Sequence, residues 1–454
     1  MLLYLVTQDP ECGQDSVQIE GHYWKLAAHD LDAPDAEDIR FACVSYTWGA
    51  ERERSPFHRD YQISDRTIPA LSAVFQHRPS CTRFWIDAFC VPVDAPERIH
   101  TLESMGFIYS RADEVIVVLS TAARPVLEQM STSDRVDPVY LDVLEKEKWV
   151  SRAWTYQEAA NSKVLSITCE ESRGVIVPGS HFLNCLGYTL THLDDSISVA
   201  SDRRERYPRL DAFEDLIAEH MIAGYLERPA LQVMSNMDRR TQHRDEDHFY
   251  AMIGAISTAR ASSSATLDPP EAFMSLCERK GDYSFIYSVA KRDSTPSKRW
   301  RPVPGDLPSI LPWHCYGEGQ PAHEESGSLY LDLMLPLEIS PINEDGKKFV
   351  QQWLASSKLG STRSHGSLQE SAYAALRTMG FQGSPECVTT THGFFFPADT
   401  IPVEEETTVL VATGVRWSCG APGLARCIGD AETYIPGVFF GRIDDTAAVS
   451  IKVS

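Results

Sequence analysis

The sequence lacks several features that would define large classes of protein. No apolar run approaches the ~18 residues that a helix needs to cross a bilayer, so we expect no membrane span. The opening segment Met1–Val6 has no basic region and is soon followed by Asp9, Pro10 and Glu11, so it is too short for a signal peptide. We therefore expect a cytoplasmic protein.

Basic side chains are in short supply. The chain has 42 Lys and Arg against 64 Asp and Glu, which gives a formal net charge of -22. This charge disfavours general binding to nucleic acid or to an anionic membrane. The expected partner is another protein or a small molecule.

Cysteine patterns and metal motifs are also missing. The eleven cysteines, scattered from Cys12 to Cys427, include no C-x-x-C pair, which disfavours a disulfide framework and a zinc ribbon. No G-x-S-x-G is present, and no Cys lies beside a His-rich motif, so a Ser or Cys hydrolase has no support. His243 and His248 fit no helical ligand pair, and we expect the Asp245 region to cap a helix rather than bind metal.

The length of 454 residues, with 43% hydrophobic and 10% aromatic residues, predicts more than one globular core. The predicted regions are a loop-rich lead-in (1–40), an α/β domain (41–175), a mainly helical region (176–300), a linker or covering loop (301–326) and a mixed, β-rich C-terminal domain (327–454).

Four short apolar runs in the α/β domain predict strands. They are Phe41–Tyr46, Phe84–Ala88, Val115–Ser120 and Lys163–Thr168. Helical patterns separate them, so the β-α-β-α order predicts a parallel sheet with helices on both faces. Ligand sites of such sheets form at the carboxyl ends of the strands.

Further patterns predict elements around this sheet. One strand is expected near Gly21–Leu26, a hairpin in 62–68, and a helix that ends near Arg111 and opens on an Asp94/Glu97 capping box. Later helices are predicted at Asp211–Leu226, His248–Ile256, Pro270–Lys280 and Lys347–Thr378, and later strands at Ser328–Leu333, Thr408–Val415 and Tyr434–Phe440.

The stretch Trp149–Ala160 places a carboxylate where it can do chemistry. It has no Gly or Pro and predicts a helix that opens near Ser151. Trp154 and Glu158 stand at i,i+4, so the indole is expected to cover one flank of the carboxylate. An acid beside a large ring is partly desolvated.

These stretches resemble the fungal heterokaryon incompatibility (HET) domain family. The matching boxes are Ser45–Gly49 (S-Y-x-W-G), Trp85–Ala88 (W-I-D-A), Glu97–Arg98 with Met105 and Ile108–Ala112, Ser151–Glu158 (S-R-x-W-T-x-Q-E), Arg244–Asp245 with Tyr250–Gly254 and, more weakly, Gly429–Gly437. The resemblance implies a role in nonself recognition and programmed cell death.

The α/β domain has a strand that ends in Ser45–Tyr46, a strand that ends in Ile86–Asp87, the run Val115–Ser120 and then the motif Ser151–Glu158. In this order of motifs it is similar to Toll/interleukin-1 receptor (TIR) domains. The resemblance implies a TIR-like, flavodoxin-like parallel sheet, and it places Glu158 where NAD-cleaving TIR domains keep their catalytic Glu, with Thr155 in place of a Cys. The chain departs from the HET pattern at Cys90–Val93, where the family has C-I-N-Q, and at Thr101, where it has Gln. These departures remove amides from the expected pocket.

The resemblance implies that NAD, or a related nucleotide, is a substrate and that no cofactor is required. Cleavage expels neutral nicotinamide through an oxocarbenium-like transition state, which one carboxylate can stabilise electrostatically. The predicted catalytic residue is Glu158; the alternative is an ordinary helix-surface Glu. The predicted substrate-binding residues are Ser45, Trp48, Asp87, Trp154 and Arg111.

Three of the binding residues also have a structural interpretation. Trp48 stacks a ring or closes the sheet edge, Asp87 binds a ribose hydroxyl or caps a turn, and Trp154 belongs to the core or touches ligand. Arg111 is a candidate phosphate partner.

Non-enzymatic function is the main alternative. In that interpretation the domain is a TIR-like signalling or scaffolding module that acts by self-association or by binding an incompatibility partner, and the Pro92–Val93 and Thr101 departures favour it. A third possibility is base exchange or another nucleotide substrate.

Overall fold

The computed structural model describes residues 1–34, 36–58, 61–192, 206–211, 213, 228–260, 268–357, 366–402 and 406–454. The chain forms two compact units. The first comprises Met1–Asp195, Tyr207–Leu226 and Thr241–Thr266, and the second comprises Ser196–Arg206, Glu227–Arg240 and Leu267–Ser454. Within the described residues, no helix combines the length and the apolar character needed to span a bilayer.

The strands of the described chain are β1 (Leu2–Gln8), β2 (Val17–Ile19), β3 (His22–Asp30), β4 (Ala42–Tyr46), β5 (Arg52–Arg54), β6 (Gln62–Ser64), β7 (Arg83–Trp85), β8 (Glu114–Leu119), β9 (Leu165–Cys169), β10 (Val177–Pro178), β11 (Tyr316–Gly317), β12 (Ala322–Glu325), β13 (Ser328–Glu338), β14 (Val388–Thr390), β15 (Gly393–Pro397), β16 (Glu406–Ala412), β17 (Val415–Arg416), β18 (Gly420–Ile428), β19 (Glu432–Gly441) and β20 (Val449–Val453).

The α-helices of the described chain are α1 (Thr67–His77), α2 (Asp87–Cys90), α3 (Ala95–Glu103), α4 (Met105–Arg111), α5 (Arg124–Met130), α6 (Leu141–Lys146), α7 (Ala153–Ala160), α8 (Gly179–Thr191), α9 (Ala230–Met237), α10 (Asp245–Ile256), α11 (Pro269–Lys280), α12 (Glu344–Ser356) and α13 (Leu368–Thr378).

The first unit is built on one eight-stranded sheet in the order β10-β9-β8-β4-β7-β1-β3-β2. Its four central strands, β9, β8, β4 and β7, run parallel, and the four outer strands join them antiparallel. All five residues of β4 are buried, as expected for a strand that is covered on both faces. The predicted parallel sheet is confirmed for the four central strands, whereas the antiparallel outer strands make the whole sheet mixed.

Helices cover both faces of β4. Successive side chains of a strand point to opposite faces. The Tyr46 hydroxyl lies 2.8 Å from the Thr67 hydroxyl of α1, whereas Ser45 bonds Glu158 of α7. The helices α1 and α7 therefore pack on opposite faces of the sheet.

The amino-terminal segment differs from the predicted loop-rich lead-in. Its strand near Gly21–Leu26 is confirmed by β3, but β1 and β2 are also present, and the three strands extend the main sheet beyond β7. Leu3, Leu5 and Val6 of β1 are buried, so the strand lacks the strict alternation that indicates a half-buried strand.

Two local predictions in the α/β domain were wrong. Gln62–Ser64 pairs with Arg52–Arg54, and Thr67 begins α1 instead of returning as a hairpin strand. Asp94 makes no side-chain capping bond at the start of α3, and the predicted helix is interrupted at Ser104 between α3 and α4.

The second unit contains a mixed region dominated by an antiparallel sheet. Its main path is β12-β13-β16-β18-β19-β15-β14, and β20 pairs with β13. Side chains such as Leu335, Phe395, Val409 and Phe439 form its core. The three strands predicted in the C-terminal region are confirmed within β13, β16 and β19, although β16 ends at Ala412.

The helical predictions of the later chain have mixed outcomes. The predictions at His248–Ile256 and Pro270–Lys280 are confirmed by α10 and α11, and the former packs on α3, α4 and α7 within the first unit. The predicted helix Lys347–Thr378 is two helices, α12 and α13, and residues 358–365 between them lie outside the described residues. Most of the predicted helix Asp211–Leu226 also lies outside them.

Candidate functional site

Glu158 lies in α7, which follows β8 and precedes β9. A 3-10 turn over Lys148–Ser151 leads to Arg152, whose extended backbone (φ -78°, ψ 144°) interrupts the helical path. The helix therefore begins at Ala153, two residues after the predicted opening. Glu158 is only 7% exposed, so its carboxylate is buried rather than on the helix surface.

The Glu158 carboxylate accepts hydrogen bonds from two hydroxyl groups. Ser45, the fourth residue of β4, donates from Oγ to Oε2 of Glu158. The Tyr109 hydroxyl of α4 is a second partner. The Ser45 hydroxyl itself accepts a hydrogen bond from Nε1 of Trp149 at 2.7 Å. Strand β4 and helix α4 therefore each supply a hydroxyl group to this carboxylate, and Trp149 contacts it only through Ser45.

Burial raises the pKa of Glu158 to about 7 from its ordinary value of 4.5. The Ser45 hydrogen bond and the Arg152 guanidinium oppose this rise, whereas the negative charge of Asp87 adds to it. A carboxyl group with this pKa changes its charge near neutral pH, which is typical of groups at functional sites.

Asp87 follows β7 and lies at the same edge of the sheet as Ser45. Its Oδ2 accepts from Nε1 of Trp48 at 2.9 Å, and its Oδ1 accepts from the backbone N–H of Ala88 at 2.7 Å. Tyr46 is also a hydrogen-bond partner of this carboxylate, and burial raises the pKa of Asp87. Asp87 therefore fixes the turn into α2 and holds Trp48 in place.

Three charged groups face one another here. The buried carboxylate of Glu158 and the partly buried carboxylate of Asp87 interact with each other and with the guanidinium of Arg152. If both acids ionise, the three groups sum to one negative charge. Such an arrangement favours a ligand that carries, or develops, positive charge.

Trp48 is partly exposed, and one face of its ring is occupied. The Arg52 guanidinium carbon lies 5.1 Å from the centre of the ring. Because the indole N–H is held by Asp87, the ring has a fixed orientation at the exit of β4.

Two of the predicted substrate-binding residues lie apart from these contacts. The indole of Trp154 is partly exposed and hydrogen-bonds Asp247 of α10 rather than Glu158. Arg111 ends α4 just before β8, and its guanidinium donates to the carbonyl oxygen of Ala36. Arg111 therefore lies at the edge where the parallel strands begin, opposite the edge that carries Ser45 and Asp87.

Sequence reasoning missed Trp149 and Arg152 as members of the site, and it named Tyr109 without a role. Trp149 and Arg152 precede Glu158 by less than three helical turns, so their proximity in sequence was an available signal. Tyr109 lies on a different helix, and only the packing of α4 against α7 brings it to the carboxylate.

Helices α4 and α10 cross closely, and α7 is attached to this crossing. A Cβ added to Gly106 of α4 would lie 2.1 Å from the carbonyl oxygen of Gly254 in α10. The side chain of Asn161, just after α7, donates to that same carbonyl at 2.8 Å. Gln157 packs its buried amide against Gly254. Segments of α4, α7 and α10, which are far apart in sequence, thus pack against one another.

The described residues contain no group of three or more His, Cys, Asp or Glu side chains suited to a metal ion. The acidic first turn of α10 has the capping role predicted for this region. The carboxylate of Asp247 accepts from the backbone N–H of Arg244 at 3.3 Å.

Comparison with known proteins identifies one family. Residues 41–158 match the family model described as heterokaryon incompatibility protein (HET). The matched segment runs from the start of β4 to Glu158 and so includes Ser45, Asp87 and Trp149. The predicted HET resemblance is confirmed over this segment, whereas the similarity to TIR domains stays a prediction. Comparisons with curated proteins and with solved structures give no significant match.

Proposed function

We propose that this chain, in which residues 41–158 match the HET family, acts in fungal nonself recognition and programmed cell death by hydrolysing NAD to nicotinamide and ADP-ribose. Glu158 is the proposed catalytic residue. The observation that carries the proposal is the hydrogen bond from Ser45 to Glu158, because it holds a buried acid at the carboxyl end of a central parallel strand.

The order of the parallel strands supports a TIR-like, flavodoxin-like arrangement. Numbered along the chain, β4, β7, β8 and β9 lie in the order second, first, third, fourth. Doubly wound sheets with this order bind ligands outside the carboxyl ends of the first and third strands, where the connections diverge. In this chain those strands are β4 and β8, and Ser45 lies near the end of β4.

The chemistry requires little more than a well-placed negative charge. As the bond between the ribose C1′ and the nicotinamide nitrogen breaks, its electron pair passes to the pyridinium, which leaves as a neutral molecule. Positive charge develops on the ribose, and ionised Glu158 stabilises it in a site with little water. Water then adds to C1′ and releases a proton to solvent, which gives ADP-ribose.

Other residues of the site are proposed to bind the substrate. Asp87 faces the ribose, and Trp48 offers the free face of its ring to the base. Ser45 serves the substrate through Glu158, because its hydroxyl proton is committed to that carboxylate. Trp154 is proposed to contact the outer part of the ligand. Arg111 is not proposed to bind the substrate, because it lies at the opposite edge of the sheet and its guanidinium already donates to the carbonyl oxygen of Ala36.

The direct test measures nicotinamide release by chromatography. The full-length protein is incubated with NAD, both dilute and with a crowding agent, because assembly by self-association is expected to complete the site. We expect release from the wild type and at least a ~100-fold loss in Glu158→Gln and Glu158→Ala, the loss typical of removing a group that stabilises transition-state charge.

Glu147 provides a matched control. It is also a buried Glu, 5% exposed, and it accepts a hydrogen bond from Ser120, which directly follows β8. Glu147→Gln is expected to retain release within about threefold if it folds, because a conservative amide replacement preserves most packing. Folded wild-type protein that releases no nicotinamide under any condition would remove the enzymatic proposal.

A non-enzymatic scaffold is the second candidate, and the burial of Glu158 favours it. A carboxylate that is 7% exposed and bonded by two hydroxyl groups can serve to join α7 to β4. Thr101, where the family has Gln, turns its hydroxyl to the Glu97 carbonyl at 2.8 Å and offers nothing to a ligand. Cell toxicity that survives Glu158→Ala would support this candidate.

Product analysis distinguishes NAD hydrolysis from base exchange and from the cleavage of a related nucleotide. A free pyridine base added to the assay would be incorporated into the dinucleotide if the site performs base exchange. Parallel incubations with NADP and with nicotinamide mononucleotide would reveal whether a related nucleotide is the better substrate.

A further inference from the structure

The hydrogen bonds around Ser45 run in one direction. An indole N–H can only donate, so the 2.7 Å contact from Trp149 makes the Ser45 oxygen an acceptor. A serine hydroxyl has a single proton, and Ser45 directs it to Oε2 of Glu158. Ser45 is 1% exposed, so water does not compete for either bond.

Trp149 is itself held firmly. Its carbonyl oxygen accepts a hydrogen bond from the Thr155 hydroxyl at 2.6 Å, which ties the 3-10 turn to the first turn of α7. Its ring packs edge-on against Phe213 with 5.5 Å between ring centres, and the side chain is 1% exposed. The indole N–H therefore has one orientation available, and that orientation serves Ser45.

We propose that Trp149 is a positioning residue for Glu158 and that it acts only through Ser45, by fixing the hydroxyl so that its proton is always presented to the carboxylate. The proposal rests on the proposed function for its catalytic meaning. It assigns a role in that function to a tryptophan that makes no direct hydrogen bond with the acid.

The physical consequence concerns the charge state of Glu158. Without the indole N–H, the Ser45 hydroxyl can rotate and present a lone pair instead of its proton. The carboxylate then loses a committed donor, and loss of a hydrogen bond to the charged form raises the pKa of an acid. The other groups that influence Glu158 stay in place: Asp87, Arg152, Tyr109 and Cys43.

The test follows the titration of Glu158 without any substrate. The protein is labelled with carbon-13 at its glutamate carboxyl carbons, and the Glu158 signal is identified by its loss in Glu158→Gln. We expect Trp149→Phe to raise the titration midpoint by about half a pKa unit or more, the size expected from one hydrogen bond. Ser45→Ala is expected to raise the midpoint at least as much.

The double variant decides whether Trp149 acts through Ser45. If Trp149 acts through Ser45, the variant with both Trp149→Phe and Ser45→Ala has the same titration midpoint as Ser45→Ala alone. The hydrogen-bond chain from Trp149 through Ser45 to Glu158, called the relay, is already broken in Ser45→Ala. If the two shifts add, or if Trp149→Phe causes no shift, the proposal is overturned.

Trp353→Phe is the matched control. Its indole also donates to a serine hydroxyl, that of Ser418 at 3.3 Å, but in the second unit. Its removal is expected to leave the Glu158 midpoint unchanged. If Trp149→Phe unfolds the protein, β-(3-benzothienyl)alanine at position 149 keeps the shape of the ring, replaces the N–H with sulfur and must give the same shift.

Nicotinamide release is measured separately on the same proteins. If the wild type releases none but the titration shifts as expected, the proposed function fails and the relay stands. If the wild type is active and the midpoint does not move in Trp149→Phe, the relay fails and the proposed function stands.

Discussion

The Ser45 hydroxyl donates a hydrogen bond to the carboxylate of Glu158 across 113 positions of the sequence. The bond joins a central strand of the sheet to the helix that crosses its face. It also places a buried acid with a raised pKa at the edge where doubly wound sheets bind ligands.

Glu158 is expected to make the protein less stable as pH rises. Its pKa is raised to about 7 in the folded protein from 4.5, so the folded state holds the proton more tightly than the unfolded state. The resulting stabilisation is fully present below pH 4.5 and is lost as pH rises through 7. The shift corresponds to about 3 kcal/mol.

Glu158→Gln should remove this dependence. Denaturant unfolding from pH 4.5 to 8 is expected to show the variant gaining about 3 kcal/mol relative to wild type across the range. Equal pH dependence in the two proteins would contradict the raised pKa.

The rate of nicotinamide release should follow the ionisation of Glu158. The proposed hydrolysis needs the ionised carboxylate, so release at saturating NAD is expected to rise about tenfold per pH unit below 7 and to level off above it. The midpoint should lie near the pKa of about 7. Residual nicotinamide release by Glu158→Gln, measured over the same pH range, should not rise with pH in this way. A wild-type rate that does not change with pH would contradict the catalytic role proposed for Glu158.

Asp87→Asn should shift the pH profile toward acid. The negative charge of Asp87 raises the pKa of Glu158, so its removal lowers that pKa and allows the carboxylate to form at lower pH. The acid limb of nicotinamide release is the measurement.

Asp113→Asn is the control for this change. Asp113 pairs with Arg40 at 2.8 Å on an exposed surface, so its neutralisation should leave the limb where it is. A shift toward higher pH in Asp87→Asn would mean that its carboxylate does not act on Glu158 through charge.

Gly106→Ala should destabilise the helix crossing behind α7. The added Cβ would lie 2.1 Å from the Gly254 carbonyl oxygen and 2.5 Å from that of Ser257, and backbone atoms cannot move aside as a side chain can. We expect a loss of at least about 2 kcal/mol of unfolding free energy, typical of overpacking.

Ser110→Ala in the same helix is the comparison for the glycine change. Ser110 is partly buried and loses only a bond to the Phe107 carbonyl, so the expected cost is within about 0.5–1 kcal/mol. Thermal or denaturant unfolding measures both variants. Similar stabilities would show that the crossing tolerates a methyl group.

Much of the α/β domain was predictable because its signals are local. The valine run of β8 and the buried run of β4 indicate covered parallel strands, and the helical spacing between them indicates crossovers. The weak alternation in Leu2–Gln8 gave no such signal, and β1 became a strand because it pairs with both β3 and β7. Its pairing is a long-range contact that residue patterns do not encode.

The sequence alone determined which residues could serve as acid, ring or cation, and its boxes directed attention to Glu158, Ser45 and Asp87. The tertiary structure decided which of them meet. It brought Tyr109 to the carboxylate and Trp149 to Ser45, and it placed Arg111 at the opposite edge of the sheet, because helix packing and strand order fix the distances between segments. The pKa of Glu158 was also decided there, since burial and neighbouring charges act through space rather than along the chain.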